Sequence, residues 1–509
     1  MTEQAEPQPL TGGKLVLAGV ALALANFVVV LDTTIANVSV PHIAGGLAIS
    51  PTQGTWVITS YSVADAISVP LTGWLAARFG TVRWFVMSLI GFGIFSMLCG
   101  LSGSLGMLVV FRICQGLSGG PLMPLSQALL LRIFPKEKAG AAMGLWAMTT
   151  VCAPIAGPIL GGTISDNWTW PWIFFINLPV VALCIFAVTR LVTPFETKKL
   201  HVRMDVVGLV LLVVWVGAFQ LMLDLGREED WFSSPFVVAC AIVAAIGFPA
   251  FVIWELGERN PIVDIKVFRH RGFAVGTVAV ALGFGAFFAS VVLTPLWLQS
   301  VIGYTATEAG YTTAFVGVFA VVMSPVAARL VGRVDLRITV CAGITWLGVM
   351  SLLRAGWSTD SDFWRLAMPQ LLQGFGMPFF FIGLTALALS SVKPSETTSA
   401  AGIMSFVRTL CGAIGTATAT TAWDSASRVS RAEMVPALNG VQATMDTLQT
   451  RGATSEQARG VVDRLVEAQA ATVGATHVFT LACVIFAIAA AIVWLAPKPK
   501  GKADMGAAH

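Results

Sequence analysis

The sequence is poor in charge. Asp, Glu, Lys and Arg make up 11% of its 509 residues, whereas apolar residues make up 56%. A soluble globular protein has about 25% charged residues. Most of this chain must therefore lie where charge is costly, and the composition predicts a protein that crosses a lipid bilayer many times. The net charge of +4 is too small to suggest that nucleic acid is a partner.

The sequence also lacks the motifs of metal, nucleotide and covalent chemistry. Its five histidines form no cluster, and it contains no zinc spacing, Walker loop or nucleophile elbow. The eight cysteines lie inside apolar runs, which is typical of small packing residues and not of a disulfide framework. We therefore expect no metal, no cofactor and no use of ATP.

Long apolar runs dominate what is present. They are about 20 residues long or longer and do not alternate with period two, so they predict transmembrane helices rather than strands. The expected fold class is an all-α membrane protein with fourteen spans. The runs begin near Leu15, Trp56, Arg83, Leu105, Ala139, Trp172, Val206, Phe236, Phe273, Ala309, Leu336, Trp364, Thr398 and Thr476.

Basic residues predict the orientation. If the N-terminus lies inside, most Lys and Arg residues fall in inner loops and tails, whereas the short outer loops hold only Arg227, Arg354 and Arg365. Cytoplasmic loops carry this excess of positive charge. We expect both termini in the cytoplasm.

An internal repeat predicts the domain organisation. "AARFG" (76–80) is repeated as "AARLVG" (327–332), and "CQGLSGGP" (114–121) as "LQGFGMP" (372–378), which pairs spans 1–6 with spans 9–14. Two such halves around a central cavity are typical of transporters. The expected division is a tail at 1–14, a six-helix bundle at 15–193, a linker with two inserted helices at 194–257, a second six-helix bundle at 258–497 and a tail at 498–509.

The outer segment 423–473 is the one sizeable soluble piece. Thr454 and Gln457 have capping-box spacing ahead of an apolar face. This pattern predicts an amphipathic helix, which either lies on the protein or membrane surface or binds a partner.

A charged residue inside a span costs roughly 2.5 to 3.5 kcal/mol, and we single out four of them. They are Asp32, Asp65, Arg112 and Arg408. Asp32 and Asp65 fall at similar depth on neighbouring antiparallel spans, and Arg112 enters from the outer end of span 4. Such residues mark proton relays, and we expect Asp32, Asp65 and Arg112 to take part in proton coupling.

Structural roles are the alternative for each of these charges. Asp32 and Arg112 would form a static clamp between helices, and Asp65 would be held by a hydrogen bond to Tyr61 or Ser68. Arg408 would serve packing or the polarity of the cavity.

Two glycine-containing motifs follow. "APIAGPILGG" (153–162) places Pro154, Gly157, Pro158, Gly161 and Gly162 in span 5. Glycines four residues apart let another helix approach closely, and prolines remove backbone donors. The motif predicts either helix packing alone or a hinge that seals one side of the cavity.

"GWLAARFGTVR" joins spans 2 and 3 and supplies a candidate cytoplasmic gate of Gly73, Arg78, Gly80 and Arg83. Simple anchoring by positive charge is the alternative. For the substrate cavity we expect polar and aromatic side chains on several spans, namely Gln115, Phe287, Phe288, Gln373, Phe379 and Arg408.

Several motifs in order resemble the major facilitator superfamily, specifically its fourteen-span drug:proton antiporters. They are "LDTTIANVSVP", "GWLAARFGTVR", "FRICQG" and "APIAGPILGG". "TQGTWVITSY" and "ISDNWTWPWIFFINLP" are similar to EmrB-type inner-membrane pumps of tripartite Gram-negative exporters.

The resemblance implies export of hydrophobic drugs and uncouplers in exchange for protons. It also implies a periplasmic, EmrA-like adaptor and an outer-membrane channel as partners. In it Asp32 is the coupling carboxylate, Arg112 its partner, and Gly157, Pro158 and Gly161 the antiporter hinge. A same-fold transporter with a dedicated substrate, such as a siderophore or metabolite, is the alternative.

The sequence departs from the family pattern at three positions. Ala77 replaces a usual Asp, Thr81 replaces a usual basic residue, and Asp65 lies outside the common pattern. An enzyme is not expected, because no interfacial loop carries a cluster of acidic residues and histidines.

Overall fold

The computed structural model describes residues 9–135, 138–199, 205–259, 261–331, 333–393, 396–438, 441–451 and 453–498. Throughout these ranges the regular structure is helical, which confirms the expected all-α class. Most of the tails expected at 1–14 and 498–509 lies outside the described residues, so the location of the termini stays a prediction.

The helices follow one another along the chain with short connections. They are α1 (Gly12–Gly46), α2 (Pro51–Gly54), α3 (Trp56–Phe79), α4 (Thr81–Gly100), α5 (Leu105–Gly119), α6 (Leu122–Ile133), α7 (Ala139–Asn167), α8 (Trp172–Phe175), α9 (Asn177–Leu191), α10 (Val206–Gly226), α11 (Pro235–Gly257), α12 (Arg271–Ser300), α13 (Ala306–Val331), α14 (Leu336–Arg354), α15 (Phe363–Leu389), α16 (Thr397–Ala437), α17 (Val441–Thr450) and α18 (Ser455–Val493). Short 3-10 helices cover Thr193–Phe195, Trp231–Ser233 and Ile265–Arg269.

A helix is present at each of the fourteen predicted starts, with α5 and α6 together forming span 4 and α8 and α9 together forming span 6. Twelve helical segments of the described chain are long and apolar enough to cross a membrane, by length and composition. Of the other two predicted spans, α3 carries Asp65 among several Ser and Thr residues, and several side chains of α7 lie outside the described part. The count of fourteen spans therefore stays a prediction for α3 and α7.

The helices pack in the same order in the first and second parts of the chain. In the first part α1 packs on α7 and α3 on α5, and in the second part α12 packs on α16 and α13 on α15. We call the helices α1–α9 the N half and α12–α18 the C half. They meet mainly through α7 against α13 and α3 against α16, while α10 contacts both α3 and α16.

The outer segment 423–473 is a hairpin built from extensions of two spans. The helix α16 is 41 residues long and continues into this segment, and α18 is 39 residues long and begins within it. The predicted capping box at Thr454 and Gln457 is present at the start of α18. The amphipathic helix and the apolar run that begins near Thr476 form one continuous helix, α18.

Candidate functional site

A buried polar network surrounds Asp32 inside the N half. Asp32 lies on α1 and is 2% exposed. Its Oδ2 accepts a hydrogen bond from Arg112 Nη1 at 2.6 Å. Its Oδ1 accepts bonds from Gln115 Nε2 at 3.0 Å and from Asn177 Nδ2 at 2.6 Å. A buried carboxylate needs such donors, and here side chains of α5 and α9 donate three hydrogen bonds to the Asp32 carboxylate on α1.

The guanidinium of Arg112 is held from several sides. Its Nε donates to the Val57 carbonyl at 3.0 Å, and its Nη1 also donates to Gln115 Oε1 at 2.9 Å. The Tyr61 ring lies 4.2 Å from the Arg112 Cζ atom, within the range of a cation–π contact. The expected pairing of Asp32 with Arg112 is therefore present, in a geometry that serves either a clamp between helices or a proton-sensitive switch.

Sequence reasoning missed Asn177 and Ser96, and it assigned Gln115 to the substrate cavity. Asn177 Nδ2 also donates to Ser96 Oγ at 3.0 Å, and Ser96 Oγ donates to the Phe174 carbonyl at 2.9 Å. This chain fixes the amide of Asn177 against Asp32. Neutral polar residues inside a span are a weak sequence signal, because one amide costs far less in lipid than one charge.

Asp65 has surroundings unlike those of Asp32. It is half-buried on α3 beside Gly120, where α5 gives way to α6. Among the described residues we find no hydrogen bond or ion pair to its carboxyl group. Ser68 donates to the Leu117 carbonyl at 2.7 Å, and the Tyr61 hydroxyl is buried without a partner. Neither of the hydrogen bonds considered for Asp65 is formed.

The span 5 motif brings α7 very close to α1. A Cβ atom on Gly157 would lie 2.1 Å from Thr34 Oγ1, and one on Gly161 would lie 3.2 Å from the Ile35 carbonyl oxygen. Only glycine at 157 allows this approach. Gly162 is buried, and the helix continues through residues 154 and 158. The side chains of Pro154 and Pro158 lie outside the described part, so the hinge role stays a prediction.

The loop between α3 and α4 is tied to Glu196, which sequence reasoning missed. Gly80 has φ of +94°, and a Cβ there would lie 2.6 Å from Glu196 Oε1. The Glu196 carboxylate accepts bonds from the backbone N–H groups of Val82 and Arg83, both at 2.9 Å. Thr81 contributes a further bond, from its backbone N–H to Thr197 Oγ1 at 2.9 Å.

Glu196 thus places a negative charge at the N-terminus of α4, beside this loop. The other candidate gate residues lie nearby on α3, where Arg78 stacks over the Trp74 ring at 5.6 Å. A Cβ on Gly73 would meet no atom within 4 Å, so packing does not explain that glycine.

A second carboxylate joins the start of α16 to the start of α12 in the C half. Glu396 precedes α16, and its carboxylate accepts a hydrogen bond from His270 Nε2 at 2.8 Å. It also pairs with Arg269. The hydrogen bond from His270, with help from the Arg269 charge, lowers the pKa of the Glu396 carboxyl below its ordinary value.

The candidate cavity residues of the C half do not all lie together. Phe287 and Phe288 belong to a cluster of phenylalanines from α12 and α15, with ring centroids 5.1 to 6.3 Å apart; its members are Phe284, Phe287, Phe288, Phe380 and Phe381. Phe379 instead packs beside Gly343 of α14, and Gln373 is buried on α15. Arg408 lies between Trp146 of α7 and Phe284 of α12.

Comparison with known proteins identifies the family. Residues 22–416 match the model of the Major Facilitator Superfamily. The chain is 42% identical to multidrug export protein EmrB of Escherichia coli K12, over 98% of this chain and 99% of that protein. It is 43% identical to EmrB of Haemophilus influenzae, over 97% and 98%. It is 41% identical to fatty acid resistance protein FarB of Neisseria gonorrhoeae, over 96% and 98%.

A solved structure supports the same fold. The human organic anion transporter MFSD10 (TETRAN) superposes with a TM-score of 0.55 at 13% sequence identity, covering 94% of this chain and 100% of that chain. With the apolar helices, these matches make the protein a multi-pass inner-membrane protein. The chain therefore belongs to the major facilitator superfamily, within it to the EmrB type, and is a secondary transporter rather than an enzyme.

Proposed function

We propose that the protein exports hydrophobic and amphipathic drugs across the inner membrane in exchange for protons. The observation that carries this proposal is the buried network of Asp32, Arg112, Gln115 and Asn177 inside the N half. A charge pair this deep is expensive to keep, and such groups mark proton paths in transporters. The names of the relatives, multidrug export and fatty acid resistance proteins, support an amphipathic substrate.

In the proposed mechanism Asp32 binds and releases the proton. Protonation removes the negative charge that faces Arg112, while Val57 and Gln115 still hold the guanidinium in place. The ion pair between α1 and α5 weakens, and this change favours a different arrangement of the two halves. One elementary charge moved across 100 mV supplies about 2.3 kcal/mol, which drives a solute uphill. Asp65, with its unpaired carboxyl group, is the second candidate proton site.

For partners we propose a periplasmic adaptor of the EmrA type and an outer-membrane channel, with both termini in the cytoplasm. The excess of basic residues in the predicted inner loops supports this orientation. In this orientation the hairpin of α16, α17 and α18 lies on the periplasmic side, where an adaptor has access to it.

A dedicated substrate is the second candidate. The similarity to a protein named for fatty acid resistance favours it, because that name describes one class of compound rather than many drugs. Competition for transport among unrelated drugs separates the two: mutual inhibition indicates a broad range, and its absence a narrow one.

The test uses proteoliposomes with an imposed pH gradient and a pH-reporting dye. Addition of a hydrophobic drug should release protons with the wild-type protein and with Asp224→Asn. Asp224 on α10 is the matched control, because it is an intramembrane carboxylate hydrogen-bonded by Gln220 outside the Asp32 network.

Release should be lost in Asp32→Asn, and Asp65→Asn reports whether the second carboxylate is essential or only tunes the rate. Drug-dependent release that persists in Asp32→Asn would overturn the assignment of the coupling residue. No release from the wild-type protein, with or without an adaptor in the membrane, would overturn drug:proton exchange.

A further inference from the structure

Arg408 lies in an unusual position for a charged residue. It is on α16 of the C half and is 3% exposed. Its Cζ atom lies 5.0 Å from the ring centroid of Trp146 and 4.9 Å from that of Phe284. Trp146 belongs to α7 of the N half, and its indole N–H donates to Ser126 at 3.2 Å, which fixes the ring. The guanidinium is therefore enclosed by aromatic faces at the contact between the two halves.

This cation has no counter-ion. Its Nε and Nη1 atoms are buried without a hydrogen-bond partner, and no carboxylate in the described part of the chain pairs with it. Arg112, by contrast, is paired with Asp32 at 2.6 Å. Aromatic rings stabilise a cation by their faces but accept no N–H bond in its plane. A buried N–H donor without an acceptor is costly, so the site lacks an anionic or strongly accepting group.

The neighbours of Arg408 are apolar. Phe284, one of the two rings on the guanidinium, also contacts Phe380 and Phe381 with centroids 5.2 and 5.1 Å apart. One turn before Arg408, the buried hydroxyl of Ser405 has no hydrogen-bond partner either. The site thus combines a fork of unused donors with an adjoining phenylalanine surface.

We propose that Arg408 is the receptor for the anionic head of the exported substrate. The substrate class is amphipathic organic anions, in which a carboxylate accepts two bonds from the guanidinium and an aromatic or aliphatic body lies on the phenylalanine cluster. The proposal rests on the proposed export function and names its substrate class. The site is closed in this conformation, and it opens when the halves separate, because Trp146 moves with the N half and Arg408 with the C half.

The test measures binding, without a pH gradient, to the purified full-length protein in lipid nanodiscs. The probes are 2-naphthoate, 2-naphthamide and 2-naphthylmethylammonium, which share one aromatic body and differ in charge. Titration calorimetry should show that the wild-type protein binds naphthoate at least about tenfold more tightly than the amide, and the ammonium most weakly. Arg408→Gln should bind naphthoate and naphthamide alike, and Arg408→Lys should keep a reduced preference.

Arg354→Gln is the matched control. Arg354 is also a buried arginine of the C half, and its Nε atom likewise lacks a partner, but its Nη2 atom donates to Gln370 at 3.1 Å and its helix α14 packs on α15 and α18 within the C half. This variant should keep the full preference for naphthoate. An unchanged preference in Arg408→Gln, or equal binding of the three probes by the wild-type protein, would overturn the proposal.

Thermal stability provides a readout that does not need the Arg408 variants to fold well. Naphthoate should raise the Tm of the wild-type protein and of Arg354→Gln more than naphthamide does. Equal shifts from both probes would overturn the proposal. The export function is tested separately. Preferential naphthoate binding without drug-dependent proton release would support the role of Arg408 and exclude drug:proton exchange. Proton release with equal binding of the probes would support the exchange and exclude the role of Arg408.

Discussion

Replacement of Asp32 by Asn should destabilise the protein far more than the small change in shape suggests. Three N–H donors, from Arg112, Gln115 and Asn177, converge on the Asp32 carboxylate. An Asn side chain offers one acceptor oxygen and adds two donors of its own. Gln115 cannot turn its amide to compensate, because its oxygen already accepts a bond from Arg112.

The magnitude follows from the charge that is left behind. Removal of one partner from a buried ion pair costs roughly 3–5 kcal/mol, because the other charge stays buried without compensation. Arg112 is fully buried and keeps only neutral acceptors in this variant. We therefore expect Asp32→Asn to lose about 3–5 kcal/mol of unfolding free energy, and Arg112→Gln a similar amount.

The assay is unfolding in mixed detergent micelles, followed by tryptophan fluorescence, for both single variants and for the double variant Asp32→Asn with Arg112→Gln. The double variant should regain at least half of the loss, since no unpaired charge remains, and the coupling energy gives the strength of the pair. If Asp32→Asn is as stable as the wild-type protein, Asp32 enters the network as a neutral acid, and the reasoning from an ion pair is wrong.

Two further predictions concern the packing of α7 on α1 and the contact of Glu396 with His270. Gly157→Ala should lower the free energy of unfolding by about 1–3 kcal/mol and slow transport, because its Cβ would overlap Thr34 and push α7 away from α1. The control is Gly144→Ala, which should be nearly neutral because its Cβ would lie 3.4 Å from its nearest neighbour. Equal Tm values for the two variants would contradict this. Glu396→Gln should lower the Tm at neutral pH. The histidine partner lowers the pKa of Glu396, so its stabilisation is present above the ordinary carboxyl pKa of about 4.3 and is lost as the pH falls through the lowered value. The Tm of the wild-type protein and that of Glu396→Gln, each measured against pH, should therefore converge on acidification. A difference in Tm that stays constant with pH would exclude this role.

The spans were predictable because each depends on local composition. An apolar run of lipid length must be helical wherever it lies, and the structure has a helix at every predicted start. The lower apolar content of α3 has a physical reason too, since this helix packs against α5, α10 and α16 and needs less lipid-facing surface. The continuity of α18 was missed because its hydropathy changes along its length, although no proline interrupts it and backbone hydrogen bonds do not require an apolar sequence.

The site was predictable only where charge signals it. Asp32 and Arg112 are conspicuous in apolar spans, and the structure does bring them together. Asn177 reaches the same carboxylate from α9, a contact that depends on helix order and rotation about the helix axis. The aromatic enclosure of Arg408 depends on how the two halves meet, which no local pattern records.

The two long helices of the C half have a mechanical consequence. At 1.5 Å per residue, the 41 residues of α16 span about 60 Å, roughly twice the thickness of the hydrocarbon core. Trp423 Nε1 donates to the Ala471 carbonyl at 2.8 Å, which joins α16 to α18 where the hairpin leaves the bundle. The two helices therefore move together as one extension of the C half. A rotation of about 10° around a pivot some 45 Å away moves its tip by about 8 Å, so a small rocking of the C half becomes a large displacement well outside the membrane.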